Sequence, residues 1–410
     1  MVTIEKIQYN LQHLKQLVFE VTDQCNLNCK YCALSEFYSN HDKGDERMLS
    51  FKKVQNIIDY ILFIRDHPLD TYYPLRLGFY GGEPLLNVKL IQQTINYIEG
   101  FDAQKFITYG LTTNATLLDK YMDFLVEKQF YITISLDGNE IGHSYRVDPL
   151  GKNSFNRVFK NIQLLQKNYP DYFKKFVLFN SVLHNLNNVE TTLRFIKYHF
   201  DKVPLIVPLN PIGIKEEKIE EFRTMFQNVQ QSIFQSKNCD AIEAELFVHS
   251  PRILDLVQHL MWNTGNAFDS YNDLIFNIIK NYPSQTGTCS PFSKKMFITV
   301  NGKILQCERI GQEFVLGRVY DDRVEIDFEN IVKIQNRYIS KFDKQCNNCS
   351  LRNQCSQCVY QIEDINCENP SCLEYCNKSN YDQKENQAIN FLRDHPYLYD
   401  KIYKEVKISF

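Results

Sequence analysis

The sequence predicts an α/β fold: an open, partial barrel of parallel strands followed by a small, irregular cysteine-rich region. Three observations carry this. Between residues 14 and 210, six short strand-like runs alternate with helical patterns. Six such units are too few for a closed eight-stranded barrel. The thirteen cysteines are also unevenly placed: three lie between 25 and 32, one stands at 239, and nine lie between 289 and 376.

The strand candidates are 14–22, 75–80, 106–114, 130–136, 175–183 and 203–209. Each is short, rich in β-branched or aromatic residues, and bounded by polar turns. Helices fit the stretches between them. In 50–65, Phe51, Val54, Ile57, Ile58, Ile61 and Leu62 share one face, with Ser50 as N-cap. In 87–99, Val88, Ile91, Ile95 and Ile98 do the same, between an Asn87 cap and a Gly100 stop. Further helices fit 116–128, 153–168 and 187–200. Right-handed crossovers then make the sheet parallel and put the active site at the C-terminal strand ends. An open barrel leaves room there for a large substrate such as a peptide. Residues 211–285 read as helical and charged, without a motif, and Cys239 within them reads as a packing or surface thiol. From 286 periodicity fades as Cys, Asn and Gln become dense, which fits a metal-stapled domain. The expected divisions are a short extension (1–17), the partial barrel (18–212), a helical connection (213–285), the cysteine-rich domain (286–376) and a helical tail (377–410).

Composition excludes several classes of function. The hydrophobic content of 44% supports a sizeable core, and the net charge of −3 without a long basic run disfavours nucleic acid or a membrane surface as the main partner. No run approaches 18 apolar residues, and the N-terminal stretch has no secretory h-region. A cytosolic location is expected. Disulfides are rare there, so thirteen closely grouped cysteines point to metal or redox chemistry.

The first strand runs into TDQCNLNCKYC, where Cys25, Cys29 and Cys32 have the spacing C-x3-C-x2-C. Three thiolates on a tight loop suit an iron–sulfur cluster and leave one iron of a 4Fe–4S cubane open. A structural zinc site would want a fourth ligand, and His41 is the only Cys or His within reach. The stretch Cys25–Cys32 resembles the radical S-adenosylmethionine (SAM) signature, whose loop follows the first strand of a partial (β/α)6 barrel. The resemblance implies that the open iron chelates SAM, with Tyr31 beside the adenine. Reduction would cleave SAM to methionine and a 5′-deoxyadenosyl radical that abstracts hydrogen. Gly81-Gly82-Glu83-Pro84 resembles the family's contact to the SAM amino group, and a carboxylate suits a cationic amine. Thr113 and Asn114, and Ser135 with Asp137, resemble stretches that hold the ribose and the methionine moiety. Arg146 sits where the family places an arginine for the SAM carboxylate, in a segment one residue shorter than the pattern. As isolated residues, Asn114 and Asp137 read equally as turn or cap residues.

Cys289, Gly302 and Cys307 are followed by Cys346-x2-Cys349-x5-Cys355-x2-Cys358, then Cys367, Cys372 and Cys376. This resembles the SPASM (twitch-type) domain of radical SAM maturases, which implies two auxiliary 4Fe–4S clusters. Cys289, Cys307 and Cys358 would hold the first, and Cys346, Cys349, Cys355 and Cys376 the second. The Cys355–Cys358 gap is two residues where the family has three, which raises Cys367 and Cys372 as substitutes for Cys358. A zinc ribbon is the rival reading of the C-x2-C pairs. If the first auxiliary cluster has only three protein ligands, its open iron could bind a substrate thiolate. Glu308 follows Cys307, where anaerobic sulfatase maturases place an aspartate base; glutamate has the same chemistry with longer reach.

The expected function is a maturase of a ribosomally made precursor peptide, forming a thioether or carbon–carbon cross-link and fed by an external one-electron donor of flavodoxin or ferredoxin type. A sulfatase-maturase-like oxidation of Cys or Ser to formylglycine is the alternative. A non-catalytic iron–sulfur carrier or zinc protein is a third reading. The expected extension 1–17 is below the ~40 residues that an independent domain needs, so leader recognition is expected to use another surface.

Overall fold

The computed structural model describes residues 1–32, 37–39, 47–65, 74–263 and 286–406; His41 and the end of the expected 213–285 connection fall outside them. Two compact units result. The first comprises residues 4–232 and 291–331, the second residues 1–3, 233–290 and 332–410.

All six expected strands of the first unit form, with ends shifted by one or two residues: β1 (Gln16–Thr22), β2 (Leu75–Gly81), β3 (Ile107–Thr113), β4 (Tyr131–Ser135), β5 (Val177–Leu183) and β6 (Leu205–Pro208). They pair in parallel in chain order, and the sheet stays open. On the far side of β1 the sheet gains four strands of three residues each: β7 (Met296–Ile298), β8 (Lys303–Leu305), β9 (Gly317–Val319) and β10 (Val324–Ile326). β7 runs parallel to β1 and the rest are antiparallel. The sequence reading placed these residues in an irregular domain starting at 286. Strands of three residues are too short for alternation to register, and their pairing keeps 291–331 with the barrel.

The pleat divides the sheet into two unlike faces. Leu17, Phe19, Val21, Leu77, Phe79, Leu111, Ile132, Ile134, Phe179 and Leu183 are buried on one face. The helices Phe51–Ile64, Val88–Ile98, Leu118–Glu127, Phe155–Asn168 and Val189–Phe200 each bury an apolar stripe, and Phe200 stacks on Phe179 at 5.1 Å. The other, inner face carries Arg76, Tyr80, Thr108, Thr112, Thr133, Ser135, Asn180 and Val182, all exposed or half-buried. Register ties these residues into one surface, since Arg76 pairs with Thr108, Thr112 with Thr133 and Ser135 with Asn180. Val18, Tyr131 and Val182 lie on the same face, so a cavity there would have a few placed polar groups in a partly apolar lining.

Ser50 caps its helix as expected, its hydroxyl oxygen accepting the Lys53 N–H at 3.3 Å. Asn87 makes no capping bond. A 3₁₀ turn over Pro84–Asn87 leads into that helix, and the Asn87 amide donates instead to the Val21 carbonyl at 2.8 Å.

In the second unit, Ile253, Leu256, Val257 and Leu260 pack with Phe391, Leu398 and Ile402 from the helices Lys378–Asp394 and Tyr397–Glu405. The cysteine-rich stretch 343–376 contains only short helical turns.

The contrast between the two sheet faces is measurable by urea denaturation. Phe179→Ala is expected to cost about 3–5 kcal/mol of stability. Thr133→Ala, on the inner face, is expected to change it by no more than about 0.5 kcal/mol.

Candidate functional site

The loop after β1 carries Cys25, Cys29 and Cys32, all partly buried. Backbone bonds from several directions hold it. Gly82 N–H donates to the Thr22 carbonyl and Glu83 N–H to the Gln24 carbonyl, each at 2.9 Å. Asn28 N–H donates to Val147 at 2.7 Å, and Lys30 N–H to Tyr145 at 3.0 Å. The Asn114 amide donates to Asn26 Oδ1 at 2.9 Å and lies 3.9 Å from Cys25 Sγ.

The two glycines are required by this stitching. A Cβ on Gly81 would meet the Thr22 carbonyl oxygen at 2.1 Å, and one on Gly82 would meet that of Gln24 at 2.2 Å. Gly81 also has φ +135°. The close approach that these glycines allow is therefore to the cysteine loop itself.

Glu83 is fully buried. Its carboxylate accepts the Thr113 hydroxyl at 2.7 Å, the Asn114 N–H at 2.8 Å and the Leu85 N–H at 3.1 Å. Burial pushes its pKa from 4.5 up to about 7, against the pull of these bonds. It clamps the end of β2 to the end of β3, and Thr113 and Asn114 are occupied in that clamp.

Asp137 is also fully buried and forms a two-bond ion pair with Arg146, Nε to Oδ2 at 2.8 Å and Nη2 to Oδ1 at 3.0 Å. Burial opposes its charge, yet the Arg146 guanidinium holds the Asp137 carboxyl below its ordinary range. The Val182 N–H donates to Asp137 Oδ1 at 2.8 Å, and the Tyr31 hydroxyl donates to Oδ2. The guanidinium carbon lies 5.4 Å from the Tyr31 ring centre. The pair leaves Arg146 Nη1 outside it. Ser135 ends β4 on the inner face, half-buried. Beside the pair, burial drives His143 down to about 3, so it is neutral at physiological pH.

Burial pushes the Cys25 and Cys29 thiols up to about 12; the charge of Cys32 pushes both the same way, while Arg146 pulls Cys29 down. Three thiols gathered in this way gain from a cation that deprotonates them, as cluster assembly does. Among the described residues, no three His, Cys, Asp or Glu side chains converge as a single metal ion needs.

Tyr80 ends the inner face of β2. It is 38% exposed, yet the surrounding protein raises its hydroxyl pKa, followed by the charges of Glu308, Cys32 and Glu20. Partial exposure together with enclosure is expected of a side chain facing a concavity. Glu308 and Cys32 thus act on the same phenol. Glu308 pairs with Lys295, whose Nζ lies 3.1 Å from each carboxylate oxygen. Nothing in the spacing of the sequence signals Lys295 or Tyr80; both emerge from the fold.

In the second unit, burial pushes the Cys346 thiol up to about 11, followed by the charges of Cys355, Cys372 and Cys349. Cys376 is buried and its N–H donates to Cys349 Sγ at 3.4 Å. Cys367 is exposed. Cys289 and Cys358 belong to the second unit and Cys307 to the first. Cys239, half-buried at the start of the helix Cys239–Leu246, lies 3.7 Å from Asp240.

An open parallel half-barrel with a three-cysteine loop after β1 and a Gly-Gly-Glu turn after β2 defines the radical SAM class, and residues 19–199 match the Radical SAM superfamily. The chain is an enzyme that carries a radical SAM domain over these residues, and the chemistry of that superfamily uses a 4Fe–4S cluster and SAM. It is 25% identical over 370 residues to the radical SAM cyclopropyl synthase TigE of Paramaledivibacter caminithermalis, covering 86% of this chain and 69% of that protein. It is 24% identical over 209 residues to a cysteine-type anaerobic sulfatase-maturating enzyme of Clostridium novyi, covering 49% of this chain and 53% of that protein. Its fold is similar to a solved structure described as native anSMEcpe with bound AdoMet and Cp18Cys peptide, with TM-score 0.59, 16% identity and coverage of 94% and 98% of the two chains. Among the described residues, no helix is long and apolar enough to cross a membrane.

Two measurements test the clamp and the ion pair. A folded-state pKa above the unfolded value means that the folded chain binds more protons, so the contribution of Glu83 to stability falls as pH rises from about 5 to 8. Before SAM is added, the stability difference between the wild type and Glu83→Gln should shrink over that range in urea titrations. Asp137→Asn leaves Arg146 buried without its counter-charge and is expected to cost about 3–5 kcal/mol by the same assay.

Proposed function

We propose that this enzyme is a peptide maturase that abstracts a hydrogen atom from a ribosomally made precursor peptide and closes a cross-link, either carbon–carbon or thioether. The observation that carries the reading is the three-cysteine loop after β1, bonded to the Gly-Gly-Glu turn at the C-terminal ends of an open parallel sheet. The relative matched over 86% of this chain is named as a cyclopropyl synthase, which favours carbon–carbon closure.

In this reading Cys25, Cys29 and Cys32 hold the cluster. Bound there, the cluster and SAM supply reductive cleavage of SAM to methionine and a 5′-deoxyadenosyl radical. Gly81, Gly82, Glu83, Thr113, Asn114 and Asp137 fix the walls around SAM. Tyr31 packs by the adenine, while Arg146 Nη1 and the Ser135 hydroxyl are the donors left for carboxylate and ribose. Glu308 takes the proton that the substrate loses after hydrogen abstraction. An auxiliary cluster, once bound and oxidised, would supply the acceptor for the accompanying electron, so that the substrate would lose two hydrogens in all. In the second unit, Cys346, Cys349, Cys355 and Cys376 would hold an auxiliary cluster. The donor is a small one-electron reductant such as a flavodoxin or ferredoxin, and a thiol-rich site of this kind fits the cytosol.

A second reading, oxidation of Cys or Ser to formylglycine, is favoured by the likeness to the sulfatase-maturating enzyme.

The test is anaerobic incubation of iron- and sulfide-reconstituted enzyme with SAM, dithionite and synthetic forms of any short peptides that sequencing finds encoded by neighbouring genes. Release of 5′-deoxyadenosine and a peptide lighter by two hydrogens, inert to an aldehyde-trapping hydrazine, is expected. Hydrazine capture would favour formylglycine, and no 5′-deoxyadenosine would sink the catalytic reading altogether. Cys25→Ala should abolish both products.

A further inference from the structure

We infer that Asn26 and Thr116 are positioning residues for the cysteine loop: with Asn114 they close a ring of side-chain hydrogen bonds that aims the Asn114 amide at the Cys25 sulfur and so tunes the reduction potential of the cluster bound there. The inference rests on the reading that Cys25, Cys29 and Cys32 hold that cluster.

The ring has three members. Asn26 Nδ2 donates to Thr116 Oγ1 at 2.8 Å, the Thr116 hydroxyl donates to Asn114 Oδ1 at 2.6 Å, and Asn114 Nδ2 donates to Asn26 Oδ1 at 2.9 Å. One backbone group fixes its direction. Thr116 N–H donates to Asn114 Oδ1 at 3.0 Å, so an oxygen has to stand there and the amide nitrogen faces the other way. Asn26 then offers its oxygen to that nitrogen and its own nitrogen to Thr116.

The ring joins two pieces of chain. Asn26 directly follows Cys25, whereas Asn114 and Thr116 belong to the turn after β3. That turn is anchored independently of the ring. Asn114 N–H donates to Glu83 at 2.8 Å, and Asn161 Nδ2 donates to the carbonyls of Ala115 at 2.9 Å and Thr116 at 3.2 Å. Asn114 and Thr116 are both buried, so water does not compete for these bonds. The ring therefore passes the position of a held turn to the cysteine loop.

Only one Asn114 Nδ2 hydrogen is used in the ring. The other is available to Cys25 Sγ, 3.9 Å away, and Leu27 N–H meets the same sulfur at 3.4 Å. With its oxygen accepting twice and its nitrogen donating twice, Asn114 has no polar side-chain atom left for SAM. An N–H aimed at a ligand sulfur favours the more negative, reduced cluster and so raises its potential.

The test uses the full chain, reconstituted anaerobically with iron and sulfide. It reads iron per protein and the midpoint potential of the paramagnetic signal that changes when SAM is added. Thr116→Val, which removes the hydroxyl at nearly constant shape, should keep the full iron and move that midpoint to a more negative potential. Thr116→Ser, which keeps the hydroxyl, should restore the wild-type value. Asn26→Ala breaks the ring from the loop side, outside the buried turn, and should shift the midpoint the same way. An unchanged midpoint in Thr116→Val and Asn26→Ala overturns the inference. Loss of the cluster in both overturns it too, as does a Thr116→Ser shift equal to that of Thr116→Val. A wild-type chain with no SAM-responsive signal would instead overturn the cluster reading beneath it.

Discussion

The candidate site depends on one buried ion pair, Asp137 with Arg146. A carboxylate with no exposed surface is stable in its charged form only if a counter-charge and hydrogen bonds replace water. Arg146 supplies two bonds, the Val182 N–H another, and the Tyr31 hydroxyl a further one. These partners come from the segment after β4, from β5 and from the cysteine loop. One charge thus fixes three pieces of chain at the C-terminal ends of the strands. The Arg146 side chain keeps one nitrogen outside the pair, so the same residue can serve both the frame and a bound carboxylate.

A second buried carboxylate does related work without a counter-charge. Glu83 joins the ends of β2 and β3 through three donors and stays near half-protonation at neutral pH, because burial outweighs those bonds. Such a group responds strongly to an arriving cation. Next to it, Gly81 and Gly82 let β2 lie against the cysteine loop at distances that no side chain would permit. The carboxylate and the glycines form one device that brings the loop, β2 and β3 into contact.

Much of the fold is legible in the amino-acid order. The six strands of the half-barrel alternate with helices long enough for the 3.6-residue period to show, and Ser50 caps its helix as its position predicts. The strands β7 to β10 leave no such trace, because three residues cannot display a period of two. Asn87 misleads for a related reason: whether an Asn side chain turns to a helix N-terminus or to the Val21 carbonyl depends on what packs beside it.

The sequence by itself determined the three-cysteine loop, the Gly-Gly-Glu turn and the open parallel sheet, since these are set by covalent spacing and by periods within one segment. Only the tertiary structure decided that Arg146 pairs with Asp137 and that Lys295 pairs with Glu308. Such contacts join turns and side chains whose directions depend on the burial and charge around them, which no local pattern of residues records.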